Sequence, residues 1–264
     1  MAAEKKLPIL LYWKSRTLAE PIRLMLAHLE VAYEDRRMEV GPPPVYDKSE
    51  WHMYKKELRR TRMSFPNLPL WDDVEGGVLL SQTNAIMDYI AHRYGMPCAD
   101  AKERARAHMT MEAVREWLRD FYKITYCNYP WNDGFEDGVH VEGQHQALPS
   151  PGFEKKRANY IAEDIPRYVA AFTAELERNH GPWITGANLT YADFALAECL
   201  DQHVIFHPAL LSHPSLAQLR LWYERFFALP KIAAYRNSDR FSAEPLHNRY
   251  SHFHTGWVKA PGDA

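Results

Sequence analysis

"ILLYWKSRTLAEPIRLMLAHL", residues 9–29, decides which folds are open to this chain. Ile9, Leu10 and Leu11 make a short apolar run, the pattern of a buried strand, and Tyr12 stands where that strand stops. A few residues later Ile22, Met25, Leu26 and Leu29 recur at i, i+3, i+4 and i+7, one apolar face of a helix. Pro21 falls near the start of that helix, where a missing N–H costs little. The phenol therefore sits at the strand end, facing the loop that leads into the helix. It is either an ordinary half-buried strand residue or a hydroxyl aimed at something bound there.

Working outward, "YEDRRMEV" (33–40) reads as the next strand, and 41–67 as a long loop. "LPLWDDVEGGVLLSQ" (68–82) reads as two strands around a Gly76-Gly77 turn. "TNAIMDYIAHRYG" (83–95) puts Ile86, Tyr89 and Ile90 on one helical face, with Thr83 as N-cap and Gly95 as the stop. "GMPCAD" (95–100) is the expected linker between an N-terminal domain, 1–94, and a second domain, 101–264. The second domain reads as helical over 101–126, 154–179, 190–206, 215–228 and a short turn at 231–237. "NLTYADF" (188–194) carries a capping box, with Thr190 as N-cap, Asp193 at N3, and Leu189 stapled to Phe194. Two stretches stay irregular, a Gly/Pro-rich insertion at about 131–150 and an aromatic, His-rich tail from 241.

Composition narrows the function. The 264 residues carry a formal net charge of −2, which gives no global field for nucleic acid or membrane binding. The basic run at 55–62 has little aromatic surface around it and does not change that reading. Cys98, Cys127 and Cys199 lie far apart with no CxxC, as in a reduced, cytoplasmic protein. The N-terminus does not read as a signal peptide, and no apolar run is long enough to span a bilayer. "HFH" (252–254) and "HVEGQH" (140–145) read as solvated loop histidines rather than a metal site.

The order β-α-β, loop, β-β-α followed by helices is a thioredoxin-like α/β domain with an all-α domain attached. Thioredoxins place a CxxC after the first strand, where a helix N-terminus lowers a thiol pKa. Here that place holds Tyr12-Trp13-Lys14-Ser15, so any thiol chemistry must use a thiol that is brought in. "YW" (12–13), "YDKSEW" (46–51), "FPNLP" (65–69), "SQTNAI" (81–86), "PWITGANLTYADF" (182–194) and "KIAAYRNSDRF" (231–241) occur in order. On these motifs the chain resembles the cytosolic glutathione transferases, closest to the mu class.

The resemblance implies a glutathione-conjugating homodimer that needs no cofactor, with glutathione as co-substrate and a small apolar electrophile as second substrate. It assigns Tyr12 as the catalytic residue, its hydroxyl donating to the glutathione sulfur. A charge-assisted bond of that kind is worth about 1.5–3 kcal/mol and lowers a thiol pKa by about one to two units. Ser15 is the rival hydroxyl. Glutathione would be held by Trp13, Leu18, Lys48, Trp51, Lys55, Asn67, Leu68, Pro69, Gln82 and Thr83. Leu68, before a cis Pro69, would pair its backbone with the cysteinyl unit as an added strand. Gln82 and Thr83 would meet the γ-glutamyl carboxylate at a helix N-terminus. Trp51 and Lys55 would meet the glycyl carboxylate. Glu116 falls where the family reaches the partner subunit's glutathione, Tyr126 at the electrophile site, and Phe65 at the dimer anchor. Each has a plainer reading: Thr83 caps, Trp51 packs, Lys55 belongs to a solvated charged run.

Departures from the family pattern touch the site. Its Arg-Gly pair after the strand is Arg16-Thr17 here, stiffening or narrowing the loop over the thiol. Its arginine in "YDRSxW" is Lys48, which loses a bidentate grip. Three extra residues lie between Trp51 and Phe65, so Lys55 is placed by counting from Trp51, and the insertion at 131–150 would flank the electrophile pocket. Glutathione-dependent isomerisation and non-catalytic ligand binding are the competing functions on the same scaffold.

Overall fold

The computed structural model describes residues 6–42, 45–126 and 152–254; the insertion at 131–150 lies outside them. Its first half is a mixed four-stranded sheet in the order β2-β1-β3-β4. The strands are β1 (Ile9–Trp13), β2 (Glu34–Met38), β3 (Leu70–Asp73) and β4 (Val78–Ser81). β1 pairs parallel with β2, Tyr12 opposite Arg37, and antiparallel with β3, Leu11 opposite Leu70. Central β1 buries Leu10, Leu11 and Tyr12, whereas edge strand β2 is mostly charged. That contrast is what keeps a parallel edge soluble.

Helix α1 (Glu20–His28) is sandwiched between this sheet and the helical half, packing on α3 (Thr83–Arg93), α7 (Tyr191–Phe206) and α9 (Pro230–Arg236). Burial on both sides explains why even Glu20 and Arg23 are enclosed. They pair at 3.1 Å, and Arg23 also reaches Asp35 of β2 at 3.1 Å. The expected loop at 41–67 contains helix α2 (Ser49–Thr61). Only Trp51 and Leu58 of that helix are buried, so its apolar stripe is too thin to stand out among the charged residues. Asp47 caps it by accepting the Ser49 N–H at 2.9 Å.

The second half begins with α4 (Ala101–Thr125), capped by Asp100. Residues 153–179 form one helical rod, α5 (Phe153–Asn159) and α6 (Ile165–Asn179) joined by a π-helical turn at Tyr160–Asp164. Helix α7 is buried nearly all round and forms the axis of this half, with the Thr190/Asp193 capping box in place. Asp193 also accepts from the Ile184 N–H and the Trp222 indole, tying α8 (Ala217–Phe227) to the same point.

Two further expectations change. Thr83 is not the N-cap of α3. Gln82 occupies that position at φ 76°, and Thr83 is the first helical residue, its hydroxyl donating to the Leu18 carbonyl at 3.3 Å. The tail does not run through solvent with free histidines. His247, His252 and Phe253 are buried, and His252 stacks on Phe153 with ring centroids 3.9 Å apart. The uncharged imidazole is a flat, largely apolar ring, and here it fills core. Burial lowers His252 to about 4 and His203 of α7 to about 3. Among the described residues no helix is long and apolar enough to cross a membrane, and no cluster of three metal-ligating side chains occurs.

Candidate active site

Tyr12 brings its hydroxyl to the loop after β1 because the strand's alternation directs it off the sheet toward the start of α1. The phenol is 5% exposed. Its oxygen accepts from the Thr17 hydroxyl at 2.8 Å and the Leu18 N–H at 3.4 Å. The Ser15 hydroxyl lies 3.0 Å from that of Thr17. Since Thr17 spends its one proton on Tyr12, Ser15 must donate to Thr17, giving a relay from Ser15 through Thr17 to Tyr12. Burial raises the Tyr12 phenol, and the bonds from Thr17 and Leu18 oppose that rise. With both acceptor directions used, the phenol keeps its own proton to donate.

A cavity of about 230 Å³ opens beside this loop, between the two halves. Thr17, Leu18 and Pro21 line it from one side, and Gln82, Thr83 and Asn84 present the N-terminal turn of α3. First-turn N–H groups have no intrahelical acceptor, so this turn offers donors and a positive dipole end. Gln82 is held in the left-handed region, an unusual conformation for a residue with a side chain. Across from it stand Met111, Val114, Arg115, Leu118, Arg119 and Tyr122, one face of α4. Glu198 of α7 contributes a carboxylate, which burial raises and the adjoining Arg16 guanidinium draws down.

The structure brings only some of the predicted residues together here. Tyr12, Leu18, Gln82 and Thr83 converge on the cavity or on the loop that lines it. Trp13 ends β1 half-buried against the core. Lys48, Trp51 and Lys55 share one face of α2, with Trp51 buried, Lys55 half-buried and the Lys48 ammonium 5.3 Å from the Tyr250 ring centroid. The Leu68–Pro69 bond is cis, and exposed Asn67 accepts the Leu68 N–H at 3.0 Å. Phe65 is 65% exposed. Tyr126 does not line the cavity. It is buried under the tail, stacked on His247 at 5.2 Å, its hydroxyl accepting the Asn248 N–H. Tyr122, one turn earlier, takes the place at the cavity wall. Glu116 is exposed on the far side of α4, roughly 160° round the helix from Leu118; burial and Asp120 raise the nearby Tyr168 phenol, and Glu116 adds a minor share.

The matches to known proteins follow these two halves. Residues 8–92 match the model described as "Glutathione S-transferase, N-terminal domain", and residues 146–239 the one described as "Glutathione S-transferase, C-terminal domain". The chain is 34% identical to bovine (Bos taurus) glutathione S-transferase Mu 1 over 238 residues, 90% of this chain and 94% of that one. The chain belongs to the glutathione S-transferase family. Mouse (Mus musculus) glutathione S-transferase Mu 2 is 31% identical over 89% of this chain and 93% of its own. A pi-class glutathione S-transferase from Onchocerca volvulus superimposes with a TM-score of 0.70 at 24% identity, covering 92% of this chain and 99% of that one; this supports the fold.

For a glutathione S-transferase the Arg16-Thr17 pair is notable, because both residues are built in. Arg16 is buried, donating to Glu198 at 2.6 Å and Asp201 at 2.5 Å, both on α7. Burial would lower the guanidinium, but the two carboxylates win and raise it. Gln202 continues the network, donating to Glu198 at 2.8 Å while its oxygen lies 3.0 Å from the His247 ring. The backbone N–H groups of Arg16 and Thr17 donate to the carbonyls of Pro245 and Leu246 at 3.0 and 3.3 Å. The loop under the cavity is thus held by α7 on its side chains and by the tail on its backbone. Arg115, Arg119, Tyr122 and Glu198 escaped the motif reading, and Thr17 entered it only as a departure in the loop, not as a partner of Tyr12. A helical wheel over 111–122 shows the α4 face, whereas the roles of Thr17 and Glu198 depend on contacts across the fold.

Proposed function

We propose that the chain joins the thiolate of reduced glutathione to small, largely apolar electrophiles, with Tyr12 as the hydrogen-bond donor to sulfur. The observation that carries this reading is the buried Tyr12 phenol, which accepts hydrogen bonds from Thr17 and Leu18, two residues that line a cavity ending at the N-terminus of α3. A thiol has a pKa of about 8.5, and a bond worth about 1.5–3 kcal/mol to the thiolate brings much of it into the ionised form at neutral pH. The γ-glutamyl carboxylate sits at Gln82 and Thr83, where free N–H groups favour an anion. Trp51, Lys55 and Lys48 serve the glycyl end, and Asn67, Leu68 and Pro69 the middle of the tripeptide. Conjugation follows from thiolate activation plus proximity, with no cofactor.

Two further readings go with it. Glu116 faces away from its own subunit's cavity, which supports a role toward a partner subunit in a homodimer, with exposed Phe65 as an anchor. The thiols of Cys98 and Cys199 are both free, which supports a cytosolic setting. An intact Tyr12 favours an enzyme over a scaffold. Tyr12→Phe tests the assignment: it keeps glutathione binding, raises the bound thiol pKa toward its free value, and lowers conjugation about ten- to hundredfold below that pKa. Ultraviolet titration of the bound thiolate reads the shift. An unmoved pKa, with Ser15→Ala moving it instead, would assign the donor to Ser15.

A further inference from the structure

The α4 wall of the cavity is unusual in its charge. Its floor is apolar, with Leu18, Met111, Val114 and Leu118, yet two arginines, Arg115 and Arg119, line the same space one turn apart. Like charges at i and i+4 repel, so this pair destabilises its own helix unless something anionic lies against it. The nearby carboxylates are largely engaged elsewhere. Asp120 bonds Lys123 at 2.8 Å and the Tyr168 hydroxyl at 2.7 Å and pairs with Arg167 at 3.5 Å, so Arg119 has only a shared part of its charge. Glu198 reaches the cavity from α7, across from the arginines, and its carboxylate is paired with Arg16. Arg115 has an exposed contact to Glu112 at 3.3 Å, and Glu112 also accepts from Asn84. The cavity therefore offers an apolar floor next to the thiol-activating loop and a cationic rim on α4.

We infer that the preferred electrophile carries an anionic group, a carboxylate or sulfonate, beside its apolar reactive portion, and that Arg115 and Arg119 receive it. This rests on the conjugation reading and narrows its substrate class. The apolar part lies over Leu118 and Val114 with its reactive carbon toward the sulfur, and the anion faces the solvent-exposed end of the cavity. Because the arginines are exposed, each charge contact contributes a modest factor, about two- to fivefold, that weakens as salt is added.

The test compares two chloroarenes of nearly the same shape but different charge, 4-chloro-3,5-dinitrobenzoate and its neutral carboxamide, whose different ring activation is removed by normalising. In both, the glutathione sulfur bonds to the chlorine-bearing carbon and chloride leaves with the bonding pair. Each kcat/KM is divided by the uncatalysed rate with glutathione, and the ratio of benzoate to carboxamide is the charge preference. Wild type should prefer the benzoate at low salt and lose most of that preference at 0.5 M salt, where the screening length falls to about 4 Å from about 30 Å in a 0.01 M buffer. Arg115→Met/Arg119→Met should lower the preference about five- to twentyfold, and Arg115→Lys/Arg119→Lys should keep most of it. The same preference in wild type and the methionine variant overturns the inference. So does a rise in KM for glutathione with the preference constant, which would give the arginines to a glutathione carboxylate. If wild type turns over neither chloroarene, the conjugation reading falls and this one with it.

Discussion

Removing one hydroxyl from the relay at the thiol should detune Tyr12 without touching it. Thr17→Val is nearly isosteric and keeps the β-branched shape at the same backbone angle, φ 27°, so the loop's conformational cost is unchanged. What it deletes is the 2.8 Å donation from Thr17 to the phenol oxygen. A buried neutral hydrogen bond is worth about 0.5–1.5 kcal/mol, so the Tyr12 phenol should rise by about 0.4–1 pKa unit. A less acidic phenol is a weaker donor, and the effect reaches the sulfur through one further hydrogen bond. If about half is transmitted, the bound thiol rises by about 0.2–0.5 unit and conjugation below its pKa slows about two- to threefold. Thr17→Ser restores the donor and should restore the pKa. Ultraviolet titration of bound glutathione, with conjugation rates from pH 5.5 to 8, reads both changes. A thiol pKa identical in wild type and Thr17→Val would refute the relay.

Phe65→Ser should sediment with more monomer than wild type at micromolar concentration, since an exposed aromatic on a loop is disfavoured unless a partner covers it; a monomeric wild type would refute the dimer. Acid should destabilise the helical half through His203 and His247, which burial holds neutral in the folded chain, His203 down to about 3. Unfolding lets both take protons below about pH 6.5, so their contribution is intact above that pH and falls as pH drops below it, for His203 by up to about 1.4 kcal/mol per unit until about pH 3. Melting temperature followed from pH 7 to pH 5 should fall, and His247→Gln should flatten the fall; equal slopes in both proteins would refute it.

The parts of the fold legible in the sequence are those whose signals are local. The Gly76-Gly77 turn needs a left-handed residue, supplied by Gly77 at φ 65°, and the α7 cap lies within four residues. Helix α2 was not legible because Trp51 and Leu58 alone mark its buried side. The tail was not legible because histidines read as polar until the rings they stack on are known. His252 becomes core only through Phe153, and His247 only through Tyr126 and Gln202. In the site, Tyr12, Gln82 and Thr83 were visible as motif members at element ends. Arg115 and Tyr122 were not, because which face of α4 meets the loop is set by how the two halves dock.

The two backbone bonds from Arg16 and Thr17 to Pro245 and Leu246 join positions more than two hundred residues apart. Closing a loop of that span is entropically expensive and happens only after most of the intervening chain is ordered. The loop that positions the phenol is therefore among the last parts of the molecule to be completed, although it follows the first strand. A ribosome-bound chain would hold a finished sheet and an unfinished loop after β1 until the 240s emerge. On the proposed role of Tyr12, thiolate activation then becomes a report on complete folding, and a partly folded molecule would be silent toward electrophiles rather than weakly active.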